Sequence, residues 1–182
     1  MNKLLVSMLI FSSAIEAQSP KIYVDISPVL MNYESQGISS EFKPIGFKWT
    51  TGYVVKEFSF ASIAVDGSAM WGVKHNKKTT VQNSNGDTFG NATVSVDKMY
   101  SLHLKSMFPL SQSLNANLYL GGTGGKVLSS SDTSNSKSSF ENSFSYGAGL
   151  EYWSSADASV YANYMQYFKN LNAIEIGVGF RF

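Results

Sequence analysis

Apolar and polar residues alternate strictly at the end of the chain. Ile174, Ile176, Val178, Phe180 and Phe182 fall on one side of an extended segment, and Glu175, Gly177, Gly179 and Arg181 on the other. Strand side chains project alternately to two faces, so residues 173–182 are predicted to form a strand with one oily and one polar face. The same period recurs upstream. Residues 21–30 set Ile22, Val24, Ile26 and Leu30 against Asp25 and Ser27. Pro28 has no backbone donor and is expected at a bulge or an unpaired stretch. Residues 44–52 set Ile45, Phe47 and Trp49 against Gly46, Lys48 and Thr50. Residues 58–73 are extended without a single phase, because Phe58, Phe60 and Ala64 compete with Ala61, Ile63 and Val65. A bulge that switches the face partway accounts for this.

Four more strands follow the rule. In residues 93–108, Val94, Val96, Tyr100, Leu102, Leu104 and Phe108 are expected outward, and Thr93, Ser95, Asp97, Ser101, His103 and Lys105 inward. Residues 114–127 place Leu114, Ala116, Leu118 and Leu120 outward, with Asn115, Asn117 and Tyr119 inward. Residues 144–153 place Tyr146, Ala148, Leu150 and Tyr152 outward, with Gly147, Gly149 and Glu151 inward. Residues 158–167 place Val160, Ala162 and Tyr164 outward. Polar stretches at 34–42, 74–91 and 129–143 are predicted long loops, and 54–57, 109–113, 154–157 and 169–172 short connections. The total is eight strands, with long and short connections alternating until the last. That predicts an all-β fold, an eight-stranded antiparallel up-and-down transmembrane β-barrel with its oily face toward lipid. A soluble strand with one buried face shows the same alternation. A soluble lipocalin-like carrier, however, would want an apolar interior.

The start of the chain sharpens the choice. Met1-Asn2-Lys3 is basic, residues 4–11 are an apolar run, and small residues lead to Ala17. This is the pattern of a secretory signal peptide over residues 1–17, leaving residues 18–182 as the barrel domain. The run is too short for a spanning helix, which needs roughly 20 apolar residues. Composition agrees with export. There are 0 Cys, which excludes disulfides and thiolate metal sites. The net charge of +1 gives no global attraction to nucleic acid.

The motifs then become specific. Glu175, Gly177, Phe180 and Phe182 fill, in order, the polar, glycine, aromatic and terminal positions of a pattern that resembles the C-terminal assembly signal of bacterial outer-membrane barrels. Gly46-Phe47-Lys48-Trp49-Thr50-Thr51-Gly52-Tyr53, Gly147-Ala148-Gly149-Leu150-Glu151-Tyr152 and the terminal Gly-x-Gly-Phe-Arg-Phe resemble the OmpA-like, OmpX/Ail-like eight-stranded barrel family. The resemblance implies an integral barrel of the Gram-negative outer membrane that displays four surface loops. It also implies outer-membrane lipid, lipopolysaccharide and the barrel-assembly machinery as partners. The sequence ends at Phe182 without the peptidoglycan-binding domain of OmpA proper, so wall anchoring is not implied.

An eight-stranded ring leaves an interior that side chains can fill. The inward set includes Asp25, Lys48, Asp97, His103, Lys105, Glu151, Glu175 and Arg181, nearly balanced in sign. An unpaired charge in so narrow a space costs several kcal/mol, so an ion-pair network plugging the lumen is expected. The alternative is a water-filled lumen with individually solvated charges.

Other signals carry less. Gly121-Gly122-Thr123-Gly124-Gly125-Lys126 lacks the spacing of a phosphate loop, and its glycines suit a curving strand. Ser101 and His103 resemble the same-strand pair of a lipid A deacylase barrel, but they face a filled lumen where acyl chains do not reach. No metal-ligand spacing and no cofactor motif is found. Lys74, His75, Lys77 and Lys78 form a basic cluster in the longest loop. It meets either lipopolysaccharide phosphates or a sulfated host glycan or matrix protein. The functional expectation is a non-enzymatic surface barrel with a role in adhesion, colonisation or envelope integrity. A narrow pore and a lipid-modifying enzyme are the alternatives.

Overall fold

A computed structural model describes residues 21–34, 41–74, 76–78, 81–82, 88–89, 92–131 and 134–182. The expected signal peptide, residues 1–17, lies outside them. Eight long strands form the body: β1 (Ile22–Glu34), β2 (Ile45–Glu57), β3 (Ser62–Lys74), β4 (Ala92–Pro109), β5 (Leu114–Ser131), β6 (Ser134–Trp153), β7 (Ala158–Phe168) and β8 (Leu171–Arg181). Each pairs antiparallel with the next, and β8 pairs with β1, so the sheet closes into an eight-stranded barrel. Short strands extend one rim. Glu41–Phe42 pairs with the end of β1, Asn76–Lys78 with the start of β4, and Val81–Gln82 with Thr88–Phe89.

The opposite rim is tight. Phe58 N–H donates to the Ala61 carbonyl at 2.8 Å, and Leu110 and Ser154 N–H donate to the Leu114 and Ala158 carbonyls. The Ser111 and Ser155 hydroxyls accept backbone N–H groups within their own turns. Arg181 N–H reaches the Asp157 carbonyl, and Phe182 N–H the Ile22 carbonyl, which ties the chain end to the first strand.

Alternation is realised as an inside-out barrel. Trp49, Leu102, Leu120, Leu150, Tyr164, Ile176 and Phe180 all face away from the axis, with Leu102 62% and Ile176 58% exposed. The interior is layered. Toward the long-loop rim it is apolar, with Val29, Met31, Phe42, Met70, Val96, Met99, Val127, Met165 and Leu171 in one buried cluster. Charged and amide side chains fill the middle, and Tyr23, Val54, Ala64 and Met107 close the short-turn end. Glycine makes the space. A Cβ on Gly147 would strike the Met165 side chain, and one on Gly52 the Tyr23 ring.

Several expectations change. Val94 and Val96 are buried in the lumen, not outward. The β4–β5 register shifts between Val96 and Lys98, so Asp97 is the extra residue of a bulge and the phase above it is reversed. Residues 129–143, expected as a Ser-rich loop, continue the β5–β6 ladder from Ser143↔Thr123 to Lys137↔Ser129. Backbone pairing sustains that hairpin without needing an apolar face. β2 runs on to Glu57, and the turn sits at 58–61. Pro28 makes no bulge. The β1–β8 register is the same on either side, Ile26↔Val178 and Val29↔Glu175, and only the rungs at Ser27 and Pro28 are missing.

Candidate functional site

The middle layer of the lumen gathers charges from six strands. Lys48 on β2 donates to both oxygens of Glu175 on β8, at 2.9 and 2.8 Å, and reaches the Tyr167 hydroxyl at 3.1 Å. Tyr167 donates its own hydroxyl to Glu175, and Asn163 adds an amide at 3.5 Å. Glu175 is 0% exposed, so these groups replace its entire hydration shell. Lys105 on β4 pairs with Glu151 on β6 at 3.3 Å, and Glu151 also accepts from Asn117 at 3.0 Å and Ser159 at 2.9 Å. The Lys105 ammonium lies 4.6 Å from the centre of the Tyr23 ring, whose hydroxyl donates to Asp66.

The remaining expected members take other places. His103 Nε2 and the Ser145 hydroxyl are 2.8 Å apart, and Ser145 continues through Thr123 to Ser101. His103 is therefore bonded across strands, not to Ser101 on its own strand. Asp25 is buried beside a void of about 10 Å³, room for a single water, with one carboxylate oxygen lacking a partner among the described residues. Two sites differ from expectation. Asp97 sits half-buried on its bulge and joins neither ion pair, because the extra residue takes it out of the lumen phase. Arg181 stands at the short-turn mouth with its guanidinium 3.7 Å from the centre of the Trp153 ring. It makes no ion pair among the described residues.

Asp66, Tyr23 and Tyr167 were not in the expected set. Asp66 was hidden by the ambiguous phase of β3; its register against His103 on β4 fixes it inward. The apolar layer escaped because Met31, Met70, Met99 and Met165 are separated in sequence and meet only across the ring.

The proposed assembly positions divide by face. Glu175 and Gly177 turn inward, and Phe180 and Phe182 outward, with Phe182 69% exposed at the short-turn rim. At the other rim, Lys74 is exposed at the end of β3, and the backbone of Asn76–Lys78 lies beside β4. His75 lies outside the described residues, and for Lys77 and Lys78 the structure fixes the backbone.

The strands differ in height. β6 pairs with β7 only from Tyr146↔Gln166 downward. Above that, residues 134–145 have β5 as their one strand partner among the described residues, and Phe168, Lys169 and Asn170 come beside the foot of their other edge. This is roughly 40 Å of strand at about 3.3 Å per residue. An open notch of about 380 Å³ at its foot is lined by Glu141, Asn142, Ser143, Phe168, Lys169 and Asn170.

A closed ring of eight strands with an apolar outer wall and a charged, packed axis defines an outer-membrane barrel. The outer membrane protein beta-barrel domain family matches residues 4–182, and the chain belongs to that family. It is an integral outer-membrane protein. No curated protein matches the sequence. Among solved structures it is similar to Ail of Yersinia pestis in complex with the heparin analogue sucrose octasulfate. The identity is 18%, 91% of this chain and 100% of that chain are covered, and the TM-score is 0.60. The N-terminal barrel of Pseudomonas aeruginosa OprF has 15% identity, 88% and 97% coverage and a TM-score of 0.51. Neisserial surface protein A has 18% identity, 88% and 95% coverage and a TM-score of 0.50. These likenesses concern the fold.

Proposed function

We propose that the chain is a non-enzymatic surface barrel whose long-loop rim faces outside the cell, and that the projecting β4–β6 sheet attaches the cell to a partner. The observation that carries this reading is the strand pairing of residues 134–145 of β6, which among the described residues have β5 as their one strand partner. An unpaired edge presents a row of backbone donors and acceptors, and an added strand satisfies them. A closed lumen and a buried Ser145–His103 pair support a structural role over a catalytic one. Glu175, Gly177, Phe180 and Phe182 serve recognition by the assembly machinery in this reading.

The test compares cells displaying the full chain with cells whose β5–β6 hairpin is cut back to a tight turn above the Gly124–Asn142 pair. Attachment to host cells or matrix falls to background in the shortened form, while both forms keep the different gel mobility with and without boiling that marks a folded barrel. Unchanged attachment by the shortened form sinks the reading.

A second reading places a sulfated polysaccharide on Lys74, His75, Lys77 and Lys78. It is favoured by the alignment of Asn76–Lys78 along the projecting sheet and by the heparin analogue bound to Ail. Changing the three lysines to Gln then abolishes a salt-sensitive part of the attachment; full attachment by that variant removes this reading.

A further inference from the structure

The lumen holds more buried negative charge than its two ion pairs cancel. Among the described residues, Asp25, Asp66, Glu151 and Glu175 are buried carboxylates, and Lys48 and Lys105 are the buried ammonium groups. Lys48 is committed to Glu175 and Lys105 to Glu151. Tyr23 relieves Asp66 by donating its hydroxyl. Asp25 has no such help: it is 6% exposed, and its Oδ1 lacks a hydrogen-bond partner among the described residues. Arg181, stacked on Trp153 at the short-turn mouth, adds one positive charge. With His103 neutral, one negative charge is left over. A buried charge without a partner costs several kcal/mol.

Asp25 and Asp66 both line the void of about 10 Å³ in the middle layer. Thr50, Ser68, Tyr161 and Asn163 line it too, each with an oxygen on its side chain. Four strands, β1, β2, β3 and β7, thus turn oxygen-bearing side chains onto one space of water size. Hydroxyl and amide oxygens keep lone pairs to offer, and hard cations take oxygen ligands. A water would fill this space and leave the charge. A proton would cancel the charge and leave the space. A small cation does both. The surplus of one charge selects a monovalent ion. Lys48 also lines the void, which disfavours a divalent one, and no group of three His, Asp or Glu side chains suited to a metal is found among the described residues.

We propose that Asp25 and Asp66 hold one dehydrated alkali-metal cation, sodium or potassium, at the centre of the barrel. It ties β1 to β3 across β2. The ion is structural and not in transit, since the methionine-rich layer closes the lumen above it and Tyr23, Val54, Ala64 and Met107 close it below.

The test is urea unfolding of the full chain in neutral phosphatidylcholine vesicles at pH 8. Choline chloride holds the ionic strength constant while sodium or potassium chloride is raised, and calcium chloride is a separate arm. An ion that binds only the folded form stabilises it by mass action. Above the dissociation constant, each tenfold rise in sodium or potassium therefore raises the folding equilibrium constant about tenfold, the slope for one ion per chain. Asp25→Asn removes the surplus charge and flattens that slope. Thr50→Val removes a ligand oxygen and keeps the charge, so the slope appears only at higher salt; this variant carries the test if Asp25→Asn does not refold. Asp157→Asn, an exposed acid at the short-turn rim, keeps the full slope. Four results overturn the proposal: equal stability in sodium, potassium and choline, an unaltered slope in both Asp25→Asn and Thr50→Val, an equal loss of slope in Asp157→Asn, or stabilisation by calcium alone. Stability that rises on acidification to pH 5 and ignores the salt assigns the charge to protons and overturns it as well. None of these readouts depends on cell attachment.

Discussion

Replacing Lys48 by Met asks whether the lumen is dry. Lys48 supplies two of the contacts to Glu175, which is 0% exposed and otherwise bonded to Tyr167 and Asn163. The variant leaves the carboxylate buried without its cation. Breaking a buried pair by removing one partner costs about 3–5 kcal/mol. A paired replacement, Lys48→Met with Glu175→Leu, removes both charges and recovers most of that loss, because apolar side chains of similar size often substitute for a buried pair. The expected coupling energy is therefore at least about 2 kcal/mol, within the range for contacting residues. The assay is equilibrium urea unfolding in lipid vesicles, followed by tryptophan fluorescence and checked by gel mobility with and without boiling. If Lys48→Met costs under about 1 kcal/mol, the value for solvated pairs, the lumen holds enough water to screen its charges and the axis is not packed dry.

Three other outcomes follow from the same geometry. Planar-bilayer recordings of the folded chain show no large, steady conductance, since the axis is blocked by two ion pairs and a methionine-rich layer; a persistent open level contradicts that. Ile176→Arg, midway along β8 on the outer wall, costs about 2–4 kcal/mol in vesicles if it faces the bilayer midplane; a neutral result places that wall in water. Deleting Phe182 leaves refolding in detergent nearly unchanged but lowers the amount of folded barrel in the outer membrane of cells; equal losses in both settings make Phe182 a stability residue and not an assembly signal.

The sequence exposed most where strands are regular and single-phased. In β6, β7 and β8 every face assignment agrees with the structure, because one wall meets lipid along the whole length and a one-residue slip would reverse it. Legibility fails where the phase changes. Val94, Val96 and Tyr100 have the same parity in sequence, so nothing local marks the bulge at Asp97 that turns the valines inward. β3 shows the converse, with competing periods that left Asp66 unassigned until its partner Tyr23 came across the ring. Lys48 and Glu175 were legible as inward charges. Their pairing was not, since residues so distant in sequence become neighbours only through closure.

Pro28 bears on how that closure holds. Met31 N–H points to β2 and Glu34 N–H to the β7–β8 turn, so odd positions of β1 bond toward β2 and even positions toward β8. The amide that Pro28 lacks is thus one that would have stitched the first strand to the last. Every other seam joins strands adjacent in sequence and can zip from its turn; this one has no turn and is short of a stitch in its middle. Under stress the ring yields there first, and solvent deuterium enters the amides of β8 beside Pro28 sooner than those on its β7 side.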